Sequence, residues 1–396
     1  MTKKILSVLV LMGAGQLFAQ DNLINALANN QGKDVQKYYQ IKPIFALGVT
    51  DVKDQGHSGT CWSYTGASFL ESEMMKKGKQ PVDLSEIYTA RKVYLEKAIN
   101  YLRMHGALTW GDGGELHDVI NIYRKYGAVP QSVYSGLING ATINNFDKMQ
   151  KDLEGYLKEI VESEKVPANW KELFEQKMDT YLGAVPKTFL YNGKMYDPQS
   201  FAKEVVGLQD EKYIEMLSVE HKPKYQNTLM AVPDNWSYDY AFNVNMEDII
   251  RTIDYALSKG YTVGWGADVS EKYFSWRNGL ALVPEKDYND LTEAEQKDYF
   301  HVYWNEKEIT PELRQQGFDN YETTDDHAMH IVGLAKDQKG REYYIVKNSW
   351  GADNDNKGYL YVSKNYVRYK TMSILVNQKG TPKDLLKKYK KAGYIS

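Results

Sequence analysis

Cys61 is the only cysteine among 396 residues, set in the string Gln55-Gly56-His57-Ser58-Gly59-Thr60-Cys61-Trp62, and far downstream stand Asp326-His327-Ala328 and Asn348-Ser349-Trp350-Gly351. A lone thiol followed much later by an imidazole and then an amide is the chain order of a thiolate nucleophile, its base and the group that orients the base. Thiolate is scarce at neutral pH unless an imidazolium or a helix N-terminus stabilises it. Gln55 can place an amide donor beside the Cys61 N–H, and the two donors would cradle an oxyanion. Asn348 can accept from one nitrogen of His327 and so direct the other at sulfur, with Trp350 shielding that bond from water. The set predicts a cysteine hydrolase with Cys61, His327, Asn348 and Gln55 as its catalytic residues. Asp325, Asp326, His327 and His330 also read as a metal cluster, but no second His/Cys cluster completes it. No metal and no organic cofactor are therefore expected.

These groups need elements to hold them. Residues 61 to 77 carry bulky side chains at Phe69, Leu70, Met74 and Met75 around Gly66 and Ala67, which predicts a packed helix with Cys61 at its positive end. Residues 40 to 130, with a helix start at Leu84-Ser85-Glu86 and a turn at Gly113-Gly114, read as a mostly helical lobe carrying the thiol. Residues 131 to 245 read as a mostly helical insertion, with helical text at Phe146 to Glu164 and Trp170 to Tyr181. Asn192-Gly193 marks a hairpin turn within Phe189 to Tyr196. Residues 246 to 380 open with a helix, Met246 to Lys259, and turn β-rich at Tyr261 to Ala267, Ala328 to Leu334, Tyr343 to Lys347 and Gly358 to Val362. Residues 381 to 396 form a tail. The expected class is α+β in two lobes, with Cys61 on one wall of a cleft and His327 and Asn348 on the other.

The same segments resemble the papain-type cysteine peptidases, and more closely their bleomycin hydrolase and aminopeptidase C branch. The papain group places a disulfide cysteine where Ser58 stands, with its partner where Asp112 precedes Gly113-Gly114; both are replaced here, as in that branch. Asp112-Gly113-Gly114-Glu115, Lys125-Tyr126-Gly127-Ala128-Val129-Pro130, Gly266-Ala267-Asp268-Val269, His327-Ala328-Met329 and Val346 to Gly351 are similar to its signatures. The likeness spans roughly residues 40 to 380. It implies the papain-like fold, a peptidase acting on peptide substrates, and the roles given above for Gln55, Cys61, His327 and Asn348. It also implies that Trp62, Gly113, Gly114 and Trp350 border the substrate. His330 would turn to the opposite face of a strand from His327. The His-Ala pairing of the branch favours His327 as the base, with His330 structural. The remaining histidines, His57, His105, His117, His221 and His301, read as surface or capping residues. In that branch the chain tail enters the cleft and restricts cleavage to the substrate's amino end, and its members assemble as hexamers. Here the sequence ends at Gly393-Tyr394-Ile395-Ser396 after a basic run, Lys383 to Lys391, and the tail reads as shorter than that arm. An aminopeptidase is expected, with an element of the insertion as a second means of closing the cleft. An open-cleft endopeptidase and an inactive peptide-binding relative are the alternatives.

Residues 1 to 20 read as a secretory signal peptide: a positive start through Lys4, an apolar stretch from Ile5 to Phe18, and a cleavage zone at Ala19-Gln20-Asp21. An uncleaved anchor is the competing reading, although the stretch falls short of the roughly 20 residues a span needs. The expected location is outside the cytoplasm, with the bacterial periplasm first, whereas the bleomycin hydrolase branch is typically cytosolic. With Lys3 and Lys4 removed, 47 basic residues face 52 acidic ones. That balance argues against nucleic acid or an anionic membrane as partner. A single cysteine permits no internal disulfide, and a chain of this length needs none.

Overall fold

The structure, a computed structural model, describes residues 38–393. The signal peptide and the last three residues of the tail lie outside them. The helical lobe is built on α1 (Cys61–Lys76), α2 (Glu86–Arg103) and α3 (Leu116–Tyr126). Residues Trp62 to Met74 of α1 are all buried, so this helix has no wet face and runs through the centre of the molecule. Its neighbour α3 buries Leu116, Val119, Ile120 and Tyr123, a helical stripe, and is fixed at its start by a capping box between Glu115 and Asp118. The two helices touch at Gly66, where an added Cβ would lie 2.4 Å from Val119 Cγ2. Ser85 caps α2 by accepting from the Tyr88 N–H at 3.0 Å.

One large sheet forms the other lobe. Its strand order is β5-β6-β4-β13-β7-β10-β11-β12-β9-β8, with β1 also on β10. The ranges are β1 Lys42–Ala46, β4 Tyr213–Leu217, β5 Gln226–Leu229, β6 Tyr240–Asn243, β7 Val263–Ala267, β8 Phe274–Ser275, β9 Leu280–Ala281, β10 His327–Lys336, β11 Glu342–Lys347, β12 Tyr359–Ser363 and β13 Thr371–Asn377. β10 is antiparallel to β7, with His327 opposite Ala267, and to β11, with His330 opposite Lys347. Antiparallel pairing brings the start of β10 beside the end of β11. That places His327 next to Asn348, 21 positions apart in the chain.

Two expectations are corrected. Residues 131–245 are helical only in their first part, α4 (Asp147–Glu162) and α5 (Trp170–Leu182). After the hairpin of β2 (Phe189–Tyr191) and β3 (Lys194–Tyr196), they contribute β4, β5 and β6 to the main sheet. The alternation in β4 to β6 is short and broken by polar text, which hid it. Residues 42–46, assigned to the helical lobe, instead form β1 on β10. The C-terminal helix α6 (Lys383–Ala392) docks at the β5–β6 end of the sheet: Tyr389 packs edge-on against Phe242 at 5.2 Å, and Asn227 donates to the Gly393 carbonyl at 2.7 Å.

Candidate active site

Cys61 is the first residue of α1 and is half-buried. Thr60, the N-cap, makes no side-chain cap, so the helix-terminal N–H groups remain for other partners. The Trp62 and Ala328 backbone N–H groups lie toward the Cys61 sulfur and favour its thiolate, against the larger effect of burial.

His327 lies at the start of β10 and is 3% exposed. Its Nε2 donates to Asn348 Oδ1 at 2.7 Å, and Asn348 Oδ1 also accepts from the Ser349 N–H at 2.8 Å. The tautomer is thereby set: Nε2 carries the hydrogen, and Nδ1 keeps a lone pair with no partner among the described residues. Trp350 covers this bond, its ring centroid 4.5 Å from that of His327. Burial pushes the Cys61 thiol up to about 12 and draws His327 down to about 4, against the bond from Asn348. Burial thus disfavours the thiolate and the imidazolium alike and favours the neutral forms of Cys61 and His327.

Gln55 is buried and doubly held. Its Nε2 donates to the Ser58 carbonyl at 2.6 Å and its Oε1 accepts from Ser349 Oγ at 2.7 Å. An amide carries two hydrogens and this arrangement uses one. The Gln55 and Gly351 N–H groups donate to the carbonyls of Ser349 and Lys53, stitching the Gln55 loop to the segment after β11. Ser349, which sequence reasoning gave no role, thus fixes which way the Gln55 amide faces. Where papain-type peptidases have a disulfide, Asp112 Oδ2 accepts from the Gly59 N–H at 2.9 Å, so a hydrogen bond joins the two loops.

Trp62 does not border substrate. It is 1% exposed and its Nε1 donates to the Asp112 carbonyl at 3.0 Å, supporting Gly113-Gly114 from behind. Trp350 is likewise buried over His327. His330 turns to Ser68 of α1, with Nδ1 3.0 Å from Oγ, and burial holds its pKa well below the ordinary value. The alternative metal cluster is not assembled: Asp326 accepts from the Val269 N–H and Ser270 Oγ, while His327 and His330 are engaged as described. Among the described residues no three His, Cys, Asp or Glu are grouped to hold a metal ion. His117 and His301 are not surface residues. His117 Nδ1 meets Glu215 Oε2 at 2.5 Å, and His301 is buried against Tyr38 at 5.3 Å.

Residues 14–395 match the model of the Peptidase C1-like family. The chain belongs to the Peptidase C1-like family. Among relatives of this C1-like chain, Aminopeptidase C of Lactobacillus delbrueckii subsp. lactis is 24% identical over 90% of this chain and 86% of the relative. Aminopeptidase C of Lactococcus lactis subsp. lactis is 23% identical over 89% and 85%. In fold, the C1-like chain is similar to the crystal structure of PepW from Lactobacillus rhamnosis, with a TM-score of 0.68 at 20% identity, covering 99% of this chain and 96% of that one.

Proposed function

We propose that this chain is a cysteine aminopeptidase, hydrolysing the bond after the first residue of peptides with a free amino terminus. The observation that carries the peptidase chemistry is the His327–Asn348 bond beside Cys61, which leaves Nδ1 as the base on the nucleophile's side. The Cys61 sulfur attacks the peptide carbonyl as its proton passes to His327 Nδ1. The oxyanion is held by the Cys61 N–H and the second Gln55 amide hydrogen. His327 then protonates the leaving amine, and water, deprotonated by the same nitrogen, releases the acid from the thioester. Preference for the amino end is supported by the likeness, over about nine-tenths of this chain, to proteins named aminopeptidase C.

The test is cleavage, in reductant, of two fluorogenic peptides alike except that one has a free and the other an acetylated amino terminus. Cys61→Ala is expected to abolish turnover of both, and wild type to favour the free amine at least tenfold. Turnover surviving in Cys61→Ala would sink the nucleophile, and equal cleavage of the two peptides would identify an open-cleft endopeptidase.

We also propose export of the mature chain, supported by the pattern of residues 1 to 20. N-terminal sequencing of protein recovered from the periplasmic fraction checks it, an intact Met1 being the contrary result.

A further inference from the structure

Three carboxyl groups that the hydrolytic steps do not use converge beside the nucleophile. Asp234 comes from the turn before β6, Asp325 from the turn before His327, and Glu115 from the N-cap of α3. Asp234 sits directly on Gly113: a Cβ added to that glycine would fall 1.9 Å from Asp234 Oδ2. Glu115 lies behind, 3% exposed, and donates a hydrogen bond to Asp325. Its Oε1 is buried with no partner among the described residues. Asp234 and Asp325 are part-exposed and stand near enough to Cys61 for their charges to oppose its thiolate. Burial holds both carboxyls above the usual carboxylate range, Asp325 at about 7, while the charges of Lys97 on Asp234 and of His117 on Asp325 pull them back toward ionisation. Lys97, fully buried, spends its donors on the Gly111 and Gly113 carbonyls at 3.1 and 3.0 Å, and His117 is committed to Glu215. Carboxyl groups held above their usual range by burial ionise more readily when a cation binds against them.

We propose that Asp234 and Asp325, with Glu115 holding Asp325, form the receptor for the α-ammonium group of the peptide substrate. The proposal rests on the aminopeptidase reading and names the residues that would enforce it. In a substrate's first residue the amino nitrogen lies two bonds from the attacked carbonyl carbon, about 2.5 Å away. A carboxylate at hydrogen-bonding distance from that nitrogen adds about 2.9 Å, so the reader must stand within roughly 5–6 Å of the attacked carbon. Asp234, packed on Gly113 and felt electrostatically at the Cys61 sulfur, is proposed to stand at that distance. A peptide extended by a further residue would have to pass through the volume Asp234 fills over Gly113. Charge recognition and exclusion of longer chains then come from one side chain, supplied by the insertion.

The experiment measures kcat/KM for the free and acetylated peptide pair with wild type, Asp234→Asn, Asp234→Ser and Asp325→Asn. The rate of Cys61 alkylation by iodoacetamide reports an intact site, and Asp234 is a part-exposed turn residue whose replacement spares the core. The expected result is a fall of the free-over-acetylated ratio to near one, about tenfold or more, in both Asp234 variants, carried mainly by KM for the free amine, with a smaller fall in Asp325→Asn. A selective wild type whose ratio survives in all three alkylation-competent variants overturns the receptor and leaves the aminopeptidase reading standing. A wild type that does not discriminate overturns both.

Discussion

Asn348 shows how a single amide decides what His327 can do. Its Oδ1 takes the Nε2 hydrogen and so keeps the Nδ1 lone pair toward the thiol, while Trp350 excludes water from the bond. Asn348→Ala frees the ring to rotate and to adopt the other tautomer. It is expected to lower kcat/KM by about 10²-fold, the low end of what positioned acid–base groups contribute, with Cys61 still open to alkylation. A change within threefold, measured on active-site-titrated enzyme, would remove Asn348 from the orienting role. The candidate quartet was legible in the sequence as four residue types in a fixed order, with a single cysteine to anchor it, and the structure brings two of its members, His327 and Asn348, into contact. Ser349 and Asp234 were not: a serine within Asn-Ser-Trp-Gly and an aspartate in Pro233-Asp234-Asn235 carry no pattern that marks them. Their roles come from chain segments meeting across more than a hundred positions, as the Gln55–Ser349 bond does.

At the scale of elements, the nucleophile is positioned by the contact of α1 with α3. Helices come this close only where one side chain is missing, and Gly66 is that place. Gly66→Ala would drive a methyl into Val119, and overpacking of this kind costs about 1–3 kcal/mol. The expected outcome is a lower urea midpoint, with much of the loss recovered in Gly66→Ala/Val119→Ala, where the removed methyls make room. Equal stability of wild type and the single variant would show that α1 and α3 part without penalty. Helix positions were legible because their stripes and caps are local, as at Ser85 and in the α3 stripe. The strands β4 to β6 were not, because their order is set by pairing: β4 is held by β13, with Ile374 opposite Met216, and β6 lies parallel to β4. Short segments of mixed polarity acquire strand identity from such partners rather than from their own alternation.

Across the whole molecule, the insertion is tied to the helical lobe through His117 of α3 and Glu215 of β4, and Glu215 also accepts from Ser373 of β13 at 2.8 Å. Burial opposes a charge on His117, but Glu215, with Asp118 and Asp239, prevails and raises its pKa to about 10 from an ordinary 6.5. A folded value above the unfolded one stabilises the fold fully below the unfolded pKa, and the contribution fades as pH rises from about 6.5 through about 10. The link is worth on the order of a few kcal/mol at its maximum, since each tenfold gain in proton affinity on folding corresponds to about 1.4 kcal/mol and the burial cost is already included. Urea unfolding of wild type and His117→Gln at successive pH values separates this site from all others that titrate in both proteins. The stability gap between them is expected to be widest near pH 6 and to shrink toward pH 10. A gap that stays constant across that range would mean that His117 remains neutral in the fold, joined to Glu215 by a hydrogen bond without charge.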